Sequence, residues 1–189
     1  MNFTHPFLDE DGDKLRQECG VFGAVNATDA AAATALGLHA LQHRGQEAAG
    51  ITSFDGAEFY TLRGLGHVAE NFSSQEAIAE LPGMMAAGHV RYSTTGGSGL
   101  RNIQPLYADL ASGGFAVAHN GNISNAGMLR EDLVRRGSIF QSTSDTEVII
   151  HLVATSRYPT IMDRLIDALR LLEGAYALIV MTPEGMIAC

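Results

Sequence analysis

The chain has 189 residues, of which 46% are hydrophobic and 17% charged, a balance typical of a folded globular domain. Its formal net charge of −9 argues against a nucleic-acid surface, because phosphates require clustered Lys and Arg. No apolar run approaches the roughly 18 residues of a membrane span. The two cysteines, Cys19 and Cys189, cannot build a disulfide framework, so we expect a reducing compartment and a cytoplasmic location.

Residues 1–18 form a polar leader in which acidic residues outnumber Lys14 and Arg16. The leader lacks the basic start and the apolar core of a signal peptide. Two interpretations are open. The leader is either a frayed terminus or a propeptide that is removed in front of Cys19.

The first third of the chain predicts a strand, a helix and a hairpin. Residues 20–25 are apolar and flanked by glycine, as in a short buried strand. Residues 30–42 are rich in Ala and Leu and predict a helix that lies buried against a sheet. Strands over 48–54 and 58–63 are separated by Asp55-Gly56, a strong hairpin signal.

The middle of the chain predicts further strands and two irregular segments. A weak helix over 74–79 and a strand over 84–92 precede a glycine-rich loop at 95–99. Another strand, over 114–119, runs into Asn120-Gly121-Asn122, which predicts a tight turn.

The last third predicts helices followed by strands. The helices cover 125–136, 144–154 and the segment from 160 onward, and the strands cover 175–181 and 186–189. The second helix begins with Ser144-x-x-Glu147, the pattern of a capping box.

Strands in hairpin-like runs, with helices grouped between them, favour an α+β fold with antiparallel sheets over alternating β-α-β units. No linker or internal repeat divides the chain, so residues 19–189 are interpreted as one domain. The sequence stops within the predicted strand 186–189, and we therefore expect a fragment whose domain is incomplete at its C-terminus.

Cys19 is the candidate nucleophile and directly precedes the first predicted strand. If the Glu18–Cys19 bond is cut, the residue carries its own base, because the pKa of an α-amine is about 7.7–8.0 and that of a thiol about 8.5. The alternative is a small buried hydrophobe, since free cysteine is among the most buried residue types.

Three further positions carry polar groups at strand ends, turns or helix starts. Arg91 could hold a carboxylate through two parallel hydrogen bonds, or be a solvated surface arginine. Asn120-Gly121 offers a side-chain amide and a backbone N–H that could form an oxyanion hole, or a simple hairpin turn. Asp145 could pair with a substrate ammonium. Alternatively, it is an acidic residue that the helix dipole favours in the first turn.

The chain contains seven histidines, but none of them has the spacing of a metal site. We expect them to be core or surface residues, and we expect no metal site. The glycine-rich loop lacks the Walker A pattern and a following helix, so it does not predict a phosphate cradle.

Five segments together resemble a known family. In chain order they are Cys19-Gly20-Val21-Phe22-Gly23, residues 40–51 (ALQHRGQEAAGI), residues 88–94 (GHVRYST), residues 119–122 (HNGN) and residues 144–147 (SDTE). The first resembles the start of a class II glutamine amidotransferase domain, one branch of the N-terminal nucleophile (Ntn) hydrolases. Residues 40–51 narrow the resemblance to the amidophosphoribosyltransferase family, rather than the glucosamine-phosphate or asparagine synthases.

This resemblance, which spans residues 19–189, implies a four-layer αββα sandwich of two antiparallel sheets flanked by helices, here truncated at its C-terminus. It also implies that Cys19 attacks the glutamine side-chain amide, forms a thioester and releases ammonia. Asn120 and the Gly121 N–H would stabilise the oxyanion. Arg91 would hold the α-carboxylate of glutamine and Asp145 its α-ammonium. A loop from Thr94 to about Gln104 would close over the substrate, with Thr94 among the residues that bind it.

The resemblance further implies a C-terminal phosphoribosyltransferase domain, absent here, that uses the ammonia to make phosphoribosylamine from phosphoribosyl pyrophosphate, the first step of purine (IMP) synthesis. We expect no cofactor in this fragment. Mg²⁺, and in some members a 4Fe-4S cluster, would belong to the full-length enzyme, as would a homotetramer. Two alternatives stay open: a class II amidotransferase that feeds another acceptor, and a regulatory module that senses glutamine without hydrolysing it.

Overall fold

A computed structural model describes residues 19–92 and 99–189 of the chain. Within these residues the strands form two four-stranded antiparallel sheets. Sheet I contains, from edge to edge, β1 (Gly20–Val25), β4 (Met85–Arg91), β2 (Ala48–Phe54) and β3 (Phe59–Leu65). Sheet II contains β5 (Leu106–Leu110), β6 (Gly113–Ile123), β7 (Gly174–Thr182) and β8 (Gly185–Ala188).

The helices lie on the outer faces of the two sheets. Those that accompany sheet I are α1 (Ala30–Ala40), α2 (Val68–Phe72) and α3 (Gln75–Ala79). Those that accompany sheet II are α4 (Ala126–Arg135), α5 (Thr146–Thr155) and α6 (Ile161–Leu169). Short 3-10 turns cover Gln42–Arg44 and Leu100–Asn102.

The alternation of side chains along β4 explains the layering of sheet I. Ala86 and Val90 pack against the helix layer that contains α1, whereas Met85 and Ala87 pack against sheet II. Successive side chains on a strand point to opposite faces. The side chain of His89 therefore lies on the same face of β4 as that of Ala87, in the space between the two sheets.

Three apolar clusters fill the resulting spaces, as four layers require. One lies between sheet I and its helices, and one between sheet II and its helices. The third lies between the sheets, where the small side chains of Ala87, Ala116 and Ala118 allow close approach. The prediction of an α+β sandwich with two antiparallel sheets is therefore confirmed.

Most predicted elements are present with boundaries that differ by a few residues. The first helix ends at Ala40, two residues earlier than predicted, because the 3-10 turn at Gln42–Arg44 follows it. Strand β5 and helix α2 were not predicted from the sequence. Each of them has five residues, and an element this short shows too few repeats of the hydrophobic pattern to be recognised. The predicted leader 1–18 and Thr94 in the predicted glutamine loop lie outside the described residues.

The structure corrects the prediction of a tight turn at Asn120-Gly121-Asn122. Strand β6 continues through these residues to Ile123, and Asn120 and Gly121 pair with Ala177 and Tyr176 of β7. A local Asn-Gly signal is thus overridden by pairing with a strand that comes more than fifty residues later in the chain.

Candidate active site

A cavity of about 230 Å³ opens where β1 begins and where β4 and β6 end, beside the start of α5. Its wall is polar and draws on segments that are far apart in the sequence. The lining residues are Cys19, His89, Arg91, Tyr92, Asn102, Gln104, His119, Gly121, Asn122, Thr143, Ser144 and Asp145.

Cys19 directly precedes β1, and its thiol contacts the end of β4. The backbone N–H of Tyr92 donates to Sγ at 3.4 Å, and Sγ lies 3.6 Å from the carbonyl oxygen of Tyr92, to which it can donate. The Nε of Arg44 donates to the carbonyl oxygen of Cys19 at 3.2 Å. These contacts hold the backbone and the sulfur of Cys19 at the cavity wall.

Burial raises the pKa of the Cys19 thiol, because desolvation disfavours the thiolate. The Tyr92 N–H and the positive charge of Arg91 oppose this effect without overcoming it. The thiol is therefore protonated at neutral pH, and a nucleophilic attack by its sulfur requires a base that accepts its proton.

Arg91 is the last residue of β4, and it lines the same cavity as Cys19. Its backbone is held along the start of β2, since Arg91 pairs with Ala48 and its carbonyl accepts from the N–H of Glu47 at 3.1 Å. A Cβ at Gly45 would lie 2.7 Å from the carbonyl carbon of Arg91, so only glycine allows this close approach. The backbone that carries the Arg91 cation is thus fixed at the cavity wall.

Asp145 precedes the first residue of α5 and also lines the cavity. Its Oδ2 accepts from the N–H of Ile123 at 3.2 Å, and its Oδ1 lies 3.6 Å from Nδ1 of His119. Burial alone would raise the pKa of this carboxyl, but the contacts with His119 and the backbone outweigh it and lower the pKa. Asp145 is therefore an anion at neutral pH.

Gly121 lines the cavity, whereas Asn120, one residue earlier on β6, does not. Gly121 has a φ of +141°, and a Cβ there would lie 2.2 Å from the carbonyl oxygen of Ala175. The Oδ1 of Asn120 is buried and has no hydrogen-bond partner among the residues that the structure describes. A buried polar group of this kind needs a partner such as a ligand or a water molecule.

The structure thus brings together Cys19, Arg91, Gly121 and Asp145 around one cavity, with Asn120 next to it. These residues come from four separate segments of the sequence. The cavity wall thus carries a thiol, a cation and an anion, together with the backbone of Gly121. A zwitterion such as an amino acid matches the paired cation and anion.

Two histidines that the sequence prediction placed in the core or on the surface also line the cavity. His89 is fully buried, and neither ring nitrogen has a hydrogen-bond partner within residues 19–92 and 99–189. Desolvation, with the charges of His119 and Arg91, lowers the pKa of His89 to about 3. His89 is therefore a neutral imidazole at physiological pH. Its position two residues before Arg91 on a strand is the signal that could have identified it.

The other unpredicted residues of the cavity form polar pairs. The Nδ2 of Asn102 donates to Oγ1 of Thr143 at 2.8 Å, and Oδ1 of Asn102 accepts from the N–H of Thr143 at 3.0 Å. The Oε1 of Gln104 accepts from the N–H of His119 at 2.6 Å. No sequence motif marked Asn102, Gln104 or Thr143, because their hydrogen-bond partners lie 15 to 41 residues away in the chain.

Metal ligation has no basis in the described part of the chain, where no three His, Cys, Asp or Glu side chains are grouped as a metal ion would require. The same residues contain no helix that is long and apolar enough to cross a membrane.

Comparisons with known proteins identify the family of this chain. Residues 89–188 match a family profile described as a glutamine amidotransferase domain. An amidophosphoribosyltransferase from Lacticaseibacillus casei is 45% identical over 174 residues, which cover 92% of this chain and 90% of that relative. The chain belongs to the amidophosphoribosyltransferase family, through its glutamine amidotransferase domain. The predicted family is therefore confirmed.

A second family member, from Rhizobium etli, is 54% identical over 191 residues that cover 100% of this chain. A solved structure of glutamine phosphoribosylpyrophosphate amidotransferase from B. subtilis, complexed with ADP and GMP, is similar with a TM-score of 0.83 at 44% identity over 89% of the chain. The fold is thus the Ntn hydrolase sandwich of that family. The chain spans 38% of the Rhizobium etli relative and 36% of the B. subtilis structure.

Proposed function

We propose that this chain is the glutaminase part of an amidophosphoribosyltransferase, and that it hydrolyses glutamine to glutamate and ammonia through a thioester on Cys19. The observation that carries the proposal is that Cys19, Arg91 and Asp145 line the same cavity, so that a thiol, a cation and an anion face one small space. Arg91 binds the α-carboxylate of glutamine and Asp145 its α-ammonium. The side-chain amide then extends toward the sulfur.

The base in this proposal is the α-amine of Cys19, set free when the bond to Glu18 is cut. It takes the thiol proton as sulfur attacks the amide carbon, and a tetrahedral oxyanion forms. The oxyanion accepts hydrogen bonds from the Gly121 N–H and the Asn120 amide, each worth about 2.7–4 kcal/mol in comparable sites. The amine returns the proton to the leaving nitrogen, the C–N bond breaks and ammonia departs. Water then hydrolyses the thioester to glutamate and restores the thiol.

The raised pKa of Cys19 supports the need for such a base, since the buried thiol does not ionise by itself at neutral pH. The leader therefore acts as a propeptide: while residues 1–18 remain attached, the nitrogen of Cys19 is an amide and cannot accept a proton. Thr94, in the segment that follows Tyr92, joins the residues that contact glutamine in this proposal.

The rest of the reaction belongs to a phosphoribosyltransferase domain outside this sequence, consistent with the 38% of the Rhizobium etli relative that the chain covers. There the ammonia reacts with phosphoribosyl pyrophosphate to give phosphoribosylamine. In this proposal Mg²⁺, a 4Fe-4S cluster in some members, and the tetramer belong to that larger protein.

The test compares the chain that starts at Met1 with the same chain after its leader has been removed, with mass spectrometry to establish the N-terminus of each sample. We expect glutamate release only from protein that begins at Cys19. Turnover by protein with an intact leader would refute the α-amine as the base. Glutamine binding without any turnover in the processed protein would favour a glutamine-sensing module. Ammonia transfer to a different acceptor domain would favour another class II amidotransferase.

A further inference from the structure

The segment at residues 140–144 has no regular secondary structure, yet it leads directly into Asp145. The sequence predicted that Ser144 and Glu147 form a capping box at the start of α5, and the structure shows that this prediction is wrong. The N-cap is Asp145, and the carboxylate of Glu147 bonds to residues that precede Ser144. Glu147 therefore has another structural role.

The carboxylate of Glu147 holds the first half of the 140–144 segment. Its Oε1 accepts from the N–H of Gln141 at 2.7 Å, and its Oε2 accepts from the N–H and the Oγ–H of Ser142 at 2.7 and 2.6 Å. Glu147 is 7% exposed, so these bonds form largely out of contact with water. A buried carboxylate with three donors is strongly oriented.

The guanidinium of Arg130, on α4, holds the second half of the segment. One terminal nitrogen donates to the carbonyl of Ser142 at 3.0 Å and the other donates to the carbonyl of Ser144 at 2.8 Å. The same guanidinium lies 4.0 Å from the ring centre of Phe140. Arg130 thus fixes two peptide groups immediately before Asp145.

The N–H of Thr143 completes the set, because it donates to Oδ1 of Asn102. Side chains from α4, α5 and the 3-10 turn at Leu100–Asn102 therefore satisfy the backbone polar groups of a segment that has no ladder or helix of its own. A segment held in this way has one conformation, and that conformation sets where the Asp145 carboxylate points.

We propose that Glu147 and Arg130 are positioning residues that hold the 140–144 segment so that Asp145 meets the α-ammonium of the substrate. Neither residue lines the cavity with Asp145, so both act through the segment. The inference rests on the proposed role of Asp145. It extends the substrate-recognition machinery to two charged residues outside the glutamine cavity.

The proposal predicts a selective effect on substrate discrimination. Glutaramate, which is glutamine without its α-amino group, makes no contact through an α-ammonium. Loss of the Glu147 or Arg130 contacts should therefore reduce kcat/KM for glutamine more than for glutaramate. Because a hydrogen bond to a charged group is worth roughly a ten- to hundredfold change, we expect the ratio of the two kcat/KM values to fall by about that factor.

The experiment measures both substrates with processed protein that carries Glu147→Gln, which keeps the shape and removes the charge. Arg130→Lys is the second variant, because a lysine cannot bond to both carbonyls in the fork geometry. Glu131→Gln, on the exposed face of α4, is the matched control and should keep the parent ratio. Asp145→Asn provides the reference for complete loss of the ammonium contact. Thermal unfolding of each variant shows that it is folded.

A lower ratio in Glu147→Gln and Arg130→Lys, expressed mainly as a higher KM for glutamine, supports the inference. A parent-like ratio in both variants, with a lowered ratio in Asp145→Asn, overturns it and leaves the proposed function intact. A parent-like ratio in Asp145→Asn itself refutes the role of Asp145, and with it this inference. If Glu147→Gln does not fold, Arg130→Lys alone decides between these outcomes.

Discussion

The backbone N–H of Tyr92 donates to the sulfur of Cys19 at 3.4 Å, although 73 residues separate the two in the chain. The contact follows from the antiparallel pairing of β1 with β4, in which Gly20 lies opposite Val90. Because Arg91 is the neighbour of Tyr92, the same strand pair brings the backbone of Arg91 close to the thiol of Cys19. The candidate nucleophile and the candidate carboxylate-binding group are thus held by sheet I itself.

The first prediction concerns the reactivity of Cys19 in the chain with its leader attached. Since burial raises the pKa of this thiol, its thiolate fraction at pH 7–8 is smaller than that of a free cysteine. We expect its alkylation by iodoacetamide to be slow at neutral pH and to accelerate only above the ordinary thiol pKa of about 8.5. Peptide mapping by mass spectrometry separates the rate at Cys19 from that at Cys189.

Cys19→Ser is the control, and it should remove the modified peptide without changing the rate at Cys189. The same measurement in urea should restore an ordinary thiol profile at Cys19, because unfolding removes the desolvation. An inflection well below pH 8.5 in the folded protein would contradict the raised pKa.

The second prediction is that Arg91→Lys lowers kcat/KM for glutamine by roughly ten- to hundredfold in processed protein. A lysine keeps the charge but cannot form two parallel hydrogen bonds to a carboxylate. The methyl ester of glutamine, which lacks the carboxylate charge, should be affected much less. Glutamate release measures both. Arg135→Lys, at an exposed position on α4, should leave both values unchanged, and an equal loss for the acid and the ester would refute a carboxylate contact at Arg91.

Much of the candidate site could be predicted from the sequence, because its residues stand at recognisable boundaries. Arg91 ends an apolar strand and Asp145 stands at the start of a helix, so each could be placed at the edge of an element. Cys19 stands before the first strand. Their convergence on one cavity depends on strand order, which composition and periodicity do not reveal.

The predictions that were wrong concern residues whose partners are distant in the chain. Asn120-Gly121 has a local turn signal, but β7 pairs with it and keeps it in a strand. Glu147 stands three residues after Ser144, as in a capping box. Its carboxylate instead accepts hydrogen bonds from the N–H groups of Gln141 and Ser142. A local sequence pattern indicates which contacts a residue can make, but the contacts that form depend on the tertiary structure.

The third prediction follows from the burial of His89, whose pKa is lowered from 6.5 to about 3. Below pH 6.5 the unfolded chain binds a proton at this residue, while the folded protein does not until about pH 3. The contribution of His89 to stability is therefore complete above pH 6.5 and is lost as the pH falls toward 3. The slope from this one group is about 1.4 kcal/mol per pH unit.

Urea unfolding between pH 7 and 4.5 measures this slope. His89→Asn should reduce the pH dependence of the free energy of unfolding, whatever its effect on stability at pH 7. His39→Asn, at an exposed position on α1, should keep the parent slope. An identical slope in the parent and in His89→Asn would show that the pKa of His89 is not lowered in the folded protein.

The last prediction concerns Gly121, where backbone conformation and close packing both require glycine. Its φ of +141° disfavours any side chain, and a Cβ would lie 2.2 Å from the carbonyl oxygen of Ala175 and 2.6 Å from the Cα of Tyr176. These are backbone atoms of the paired strand β7, which cannot rotate away. Gly121→Ala should therefore lower the free energy of unfolding by roughly 2–5 kcal/mol.

Gly127→Ala is the matched control, because a Cβ at this position of α4 would meet no atom within 4 Å. Alanine favours the helix, so this variant should gain up to about 1 kcal/mol. Urea unfolding measures both variants at one pH. A Gly121→Ala protein as stable as the parent would mean that the β6–β7 pairing at this position relaxes easily. Such a relaxed strand could not hold the Gly121 N–H at a fixed point of the cavity, and the proposed oxyanion contact would lose its structural support.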